Sequence, residues 1–144
     1  MIKQLLISIG LLQAALFSYG QNSMDMDIKS IKLFQENMDY PYIASEKRKA
    51  VILENMNSLK KGMTKNQVIE LMTPPDEANL TYKSKKSKDN LMGFAMVYIL
   101  ERNQESGSDN EKGEKLIRIH FNKYGILVWA YSIKIDEFSA IGKE

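Results

Sequence analysis

The chain has 144 residues, of which 44% are apolar and 26% charged, with no cysteine and a single histidine. That length suits one domain, and the apolar content is enough to build a core. The lack of cysteine excludes disulfide stapling, thiolate zinc sites, thiol nucleophiles and lipid attachment to an N-terminal cysteine. One histidine excludes a histidine-rich metal site, and a net charge of +2 gives no global field to gather nucleic acid. Any electrostatic function must come from a local patch.

Residues 1–20 have the three-part plan of a secretory signal. Lys3 supplies the positive start, Leu5 to Phe17 an apolar stretch interrupted by Ser8 and Gln13, and Ser18 and Gly20 the small residues before a cut at Gln21. The stretch is shorter than the ~20 apolar residues that span a bilayer. An uncleaved anchor and an ordinary buried helix are the alternatives. Removal of this segment takes Lys3 with it and leaves 19 basic against 18 acidic residues, a net charge of +1. Residues 21–27 read as a polar tail, and 28–144 as a single domain.

In that domain Ile28, Ile31, Phe34 and Met38 recur with helical spacing, up to a break at Tyr40-Pro41-Tyr42. A second helix is expected from an N-cap at Ser45, burying Ile52, Leu53, Met56 and Leu59 and ending at Gly62. Thr64 and Gln67 form a capping box for a third, with Met63 and Val68 as its hydrophobic staple. Val68, Leu71 and Met72 would be its buried face, and Pro74-Pro75 forbid its continuation.

Strands follow at 78–83, 91–102, 116–122 and 126–135. In the third, Ile117, Ile119 and Phe121 alternate with Arg118 and His120. In the fourth, Leu127, Trp129, Tyr131, Ile133 and Ile135 alternate with Val128, Ala130, Ser132 and Lys134. Lys123-Tyr124-Gly125 reads as a hairpin turn and 103–115 as a longer polar loop. Helices followed by consecutive strands predict an α+β fold: two to three helices packed on one face of a three- to four-stranded antiparallel meander. The opposite sheet face would then be partly exposed, or a partner surface.

Few residues suggest chemistry. His120 has no sequence neighbour to act as nucleophile or orienting acid, and reads as a strand-face residue. Asp25 and Asp27 fall in the tail, and Asp76-Glu77 read as a solvated turn rather than a pair facing across a cleft. Asp109-Asn110-Glu111 lacks calcium-loop spacing. No glycine-rich phosphate loop occurs. No catalytic residue, cofactor, metal or small-molecule substrate is therefore expected. Trp129 and Tyr131, with Phe94 and Tyr98, read as core, with the open sheet face as the alternative. The run Lys83, Lys85, Lys86 and Lys88 reads as a solvated loop or, more sharply, as a contact for anionic lipid or an acidic protein patch.

The segment from Leu59 to Asp76 resembles the signature of the SmpA/OmlA, or BamE-like, family of small envelope proteins through Gly62, Met63, Thr64, Val68, Leu71 and Pro75. The stretch Ile119 to Leu127 is similar to the family's hairpin. The resemblance implies helices followed by a three-stranded antiparallel sheet, as in β-lactamase-inhibitor-like proteins. It also implies a non-enzymatic binding or scaffold role in a bacterial envelope, with outer-membrane protein assembly as one such role. An inhibitor of an extracytoplasmic enzyme is the alternative on the same fold. The chain departs from the family in lacking a lipidated cysteine and in carrying Thr73 where glycine is usual. The expected location is thus periplasmic, outer-membrane associated or secreted, without lipidation, beside an envelope protein partner and with no nucleic acid. N-terminal sequencing of the protein from exporting cells should begin at or near Gln21; intact Met1 on cytoplasmic protein would overturn the export reading.

Overall fold

The computed structural model describes residues 38–83 and 91–142. The expected signal segment, the tail, the helix expected from Ile28 except its last residue Met38, which is not helical, and the lysines at 85, 86 and 88 lie outside the described residues. The elements are β1 (Tyr42–Ile43), α1 (Glu46–Asn55), a 3-10 turn (Met56–Ser58), α2 (Lys65–Met72), β2 (Glu77–Tyr82), β3 (Leu91–Arg102), α3 (Asp109–Lys112), β4 (Lys115–Asn122) and β5 (Leu127–Ile133). The fold is α+β with an antiparallel sheet of five strands.

The expected three- to four-stranded meander is β2–β3–β4–β5. A fifth strand, β1, joins it because the twelve residues of β3 are longer than β2 can cover. One edge of β3 pairs first with β2, from Glu77 opposite Val97 to Tyr82 opposite Leu91, and then with Tyr42 and Ile43 opposite Arg102 and Glu101. The far edge of the sheet is partly covered by a two-way backbone bridge between Ala130 and Ile141.

Ser45 caps α1 as expected, its hydroxyl accepting from the Arg48 amide. The helix does not run to Gly62. It tightens into the 3-10 turn at Met56, and Ile52 and Met56, four apart, share the buried face while Leu53, one residue on from Ile52, lies about 100° away from it. Ile52, Met56 and Leu59 are buried, whereas Leu53 is exposed. Gly62 instead sits in the following turn with φ +93°, which favours glycine. Both halves of the α2 capping box are present: the Gln67 amide donates to the Thr64 hydroxyl, and the Thr64 amide donates to the Gln67 side chain. Such a cap contributes about 1 kcal/mol. Val68 and Met72 are buried, and Met63 and Leu71 pack partly buried against the same core. The 103–115 connection is not all loop, because Ser108 and Glu111 form a second capping box that starts α3.

The helices cover one sheet face. Ile52, Met56, Val68 and Met72 meet Phe94, Met96, Tyr98, Ile117, Ile119, Phe121, Leu127 and Ala130 in one cluster. Strand β3 approaches β4 closely at Gly93, where a Cβ would lie 1.9 Å from the Phe121 carbonyl oxygen. On the opposite face Val97, Ile99 and Leu116 form a smaller cluster with Met38, Tyr42 and Ile133.

Where α1, α2 and β2 meet, the fold is locked by Arg48. Its guanidinium pairs with Asp76 at 2.9 Å, donates to the Thr73 hydroxyl at 2.9 Å and donates to the Pro74 carbonyl at 2.9 Å. Asp76 also accepts from the Ile99 amide at 2.7 Å and is buried, which corrects the reading of Asp76-Glu77 as a solvated turn. Burial raises the Asp76 pKa, opposed by Arg48 and the Ile99 amide. Arg48→Met should therefore leave a buried acid without its cation and destabilise the protein by about 3 kcal/mol or more. Chemical denaturation would show this as a lower midpoint; a midpoint shift equivalent to under about 1 kcal/mol, typical of an exposed pair, would refute the buried junction.

Candidate functional site

The sheet face away from α1 and α2 carries two polar features joined by Arg118. The first begins at β2. Glu77 lies opposite Val97, whose side chain belongs to this face. The register of β3 shifts between Ile99 and Glu101, and past that shift the buried Arg102 reaches Glu77 at 3.0 Å and Glu114 at 2.7 Å. The contact to Glu114 is an ion contact rather than an aligned hydrogen bond. Hydrogen bonds from Asn79 and Arg102 hold Glu77 below the usual carboxylate range despite its burial. Beside this triad lies a polar cavity of about 250 Å³, lined also by Tyr40, Glu105, Lys112 and Arg118.

The second feature is an aromatic strip. His120 lies opposite Trp129 and Arg118 opposite Tyr131 in the β4–β5 pairing. The His120 ring stacks on Trp129 at 3.7 Å between centroids, and Trp129 on Tyr131 at 5.2 Å. Arg118 donates to the Tyr131 hydroxyl at 3.1 Å, with its guanidinium carbon 5.9 Å from the ring centroid. Trp129 and Tyr131 are half-buried. They are not core, while Phe94 and Tyr98 are, because the two pairs lie on opposite faces. A register shift between His120 and Phe121 breaks the alternation expected for β5, placing Leu127 with the helix-side core and Trp129 on the other side.

The expected site residues divide into two groups. The motif Gly62, Met63, Thr64, Val68, Leu71 and Pro75 forms the joint between α2 and the start of β5. The Gly62 amide donates to the Leu127 carbonyl, the Leu127 amide donates to the Met63 carbonyl, and Thr64 bridges Ile126. Val68 and Pro75 are buried and Leu71 is half-buried. Of the basic run only Lys83 is described, exposed at the end of β2. Sequence reading missed the Glu77–Arg102–Glu114 triad. Its signal, an arginine matched by two carboxylates distant in the sequence, is not local. No protein-family model matches this chain, and no curated protein or solved structure was found to match it.

Within the strip, burial and the adjacent Arg118 charge push the His120 pKa from 6.5 down to about 4. Its buried Nε2 finds no hydrogen-bond partner among the described residues. The folded protein therefore holds a neutral imidazole where the unfolded chain would take a proton. Above pH 6.5 the group contributes nothing to the pH dependence. As pH falls from 6.5 towards 4 the unfolded state gains protons and stability drops; below about 4 the loss levels off. Wild type should lose stability relative to His120→Gln across that window, measured as the difference in denaturation midpoint at each pH. Parallel curves would show that His120 titrates normally.

Proposed function

We propose that this chain is an exported, non-enzymatic binding or scaffold protein of a bacterial envelope, and that the sheet face away from α1 and α2 engages a protein partner. One observation carries the reading: the half-buried row Arg118, Tyr131, Trp129 and His120, preorganised by stacking and set beside a charged cavity. Aromatic residues and arginine are the side chains most enriched where proteins bind proteins, since they bring large area at little loss of rotamer freedom. The carboxylates are engaged structurally: Asp76 with Arg48, and Glu77 and Glu114 with Arg102. This supports binding rather than acid–base chemistry.

The envelope setting rests on the signal-like N-terminus and on the Gly62 to Pro75 motif. The motif adds a finer expectation, an accessory role in outer-membrane protein assembly or envelope integrity. Photo-crosslinkers placed at Trp129 and Tyr131 in cells should capture an envelope protein, while one at the exposed Leu53 of α1 should not. Equal capture from all three positions, or none, would overturn the assignment of this face. Recovery of active protein from the medium in complex with an extracytoplasmic enzyme would replace the scaffold reading with the inhibitor one.

A further inference from the structure

The end of the sheet where β3 begins and β4 finishes has a different character from the strip. Gly93 of β3 pairs with Asn122 of β4, and Phe121 with Leu127 of β5. The β2–β3 strand ends and the β4–β5 turn therefore project from the same end of the molecule. The start of α2 joins them, as the Lys65 amide donates to the Gly125 carbonyl.

Of the six large hydrophobic side chains exposed among the described residues, four lie here: Leu80 at 47%, Leu91 at 41%, Met92 at 57% and Tyr124 at 75%. Leu91 and Met92 are consecutive residues of β3 where its register against β2 shifts between Thr81 and Tyr82. Both are exposed, so this strand end presents two adjacent apolar side chains to solvent.

The charge at this end is equally one-sided. The described segments that meet here, 60–67, 78–83, 91–94 and 120–127, carry Lys60, Lys61, Lys65, Lys83 and Lys123 and no aspartate or glutamate. Lys123 lies over the Tyr124 ring, 5.1 Å from its centroid. In a chain with net charge +2, five lysines at one end are a local concentration. Exposed aliphatic residues, a tyrosine in the turn and lysines on the same end match the two layers of a bilayer interface. The apolar groups fit the acyl boundary, the tyrosine the headgroup level, and the ammonium groups the anionic phosphates.

We infer that this end of the sheet docks onto an anionic lipid bilayer, inserting Leu91, Met92 and Tyr124 shallowly while the lysines contact headgroup phosphates. The surface is separate from the aromatic strip, and its test does not depend on the strip having a partner. An acidic protein is the competing occupant, and the lipid test separates the two.

Because the chain has no cysteine, Met92→Cys carries a single environment-sensitive dye. Ile43→Cys is the control: Ile43 is exposed, pairs with Glu101, and lies about 30 Å along β3 from Leu91 at ~3.3 Å per residue. The protein, purified as cells process it, is mixed with phosphatidylcholine vesicles with or without about 30% phosphatidylglycerol. The dye at 92 should shift to the blue on the anionic vesicles only, the dye at 43 on neither, and salt at about 0.5 M should weaken the effect. In flotation of unlabelled protein, Leu91→Ser with Met92→Ser should weaken binding about tenfold or more, from the apolar area no longer buried. Their unchanged circular dichroism and melting would show the fold intact. Absence of a shift at 92, equal shifts at 92 and 43, or full binding by the folded double variant would overturn the inference.

Discussion

Arg48 is the point on which the rest of the structure depends. Helix α2 must stop, reverse and enter β2 within four residues, and Thr73 does this with φ +70°. That backbone region costs a residue with a side chain about 1–3 kcal/mol unless its surroundings hold it. Here three contacts hold it: Arg48 bonds the Thr73 hydroxyl and the Pro74 carbonyl, and the Tyr98 hydroxyl donates to the Thr73 carbonyl at 2.9 Å. This strained position is thus filled by a residue whose hydroxyl offsets part of its own strain. The same guanidinium neutralises Asp76, which receives the Ile99 amide and so fixes where β3 runs past β2.

From that junction the faces of the sheet are set by irregularities rather than by simple alternation. The register shift after Ile99 lets β3 supply core residues up to Leu100 and then bring Arg102 to the polar triad. The shift after His120 lets β5 bury Leu127 on the helix side while Trp129 and Tyr131 stack on the other. Without those shifts the aromatic residues would share a face with Leu127, and Arg118 would have no stack to join. Both features of the face away from α1 and α2 are therefore consequences of where the ladder slips.

This explains what the sequence made legible and what it did not. Capping boxes are local, so Thr64 with Gln67 could be read directly, and Ser108 with Glu111 carried the same signal inside what looked like a polar loop. Alternation in β4 was readable because the extra residue at its slip against β5 is Val128 of β5, so Ile117, Ile119 and Phe121 keep one face. Leu53 was misplaced because, one residue on from Ile52, it falls about 100° round the helix from the face that Ile52 and Met56 share, and Trp129 because β5 carries one extra residue, Val128, against β4, which only the pairing reveals. The burial of Asp76 and Glu77 depends on arginines in α1 and at the end of β3. No pattern around Pro75 announces them.

Charge is distributed by the same logic. The acids Asp76, Glu77 and Glu114 are drawn inward and matched by Arg48 and Arg102, and a buried carboxylate needs such a partner to remain charged. Among the described residues, Lys60, Lys61, Lys83 and Lys123 are exposed where the sheet end is also apolar. On the strip the balance is different. Arg118 already places one positive charge against Tyr131, and a second on His120 would sit beside it in a poorly solvated row. Keeping the imidazole neutral lets His120 act as a flat ring that supports Trp129, so Arg118 remains the one cation of the stacked row among the described residues. A near-neutral chain thus carries two surfaces of distinct character, one aromatic and hydrogen-bonding, the other apolar and cationic, while its buried acids are matched at the junctions by Arg48 and Arg102.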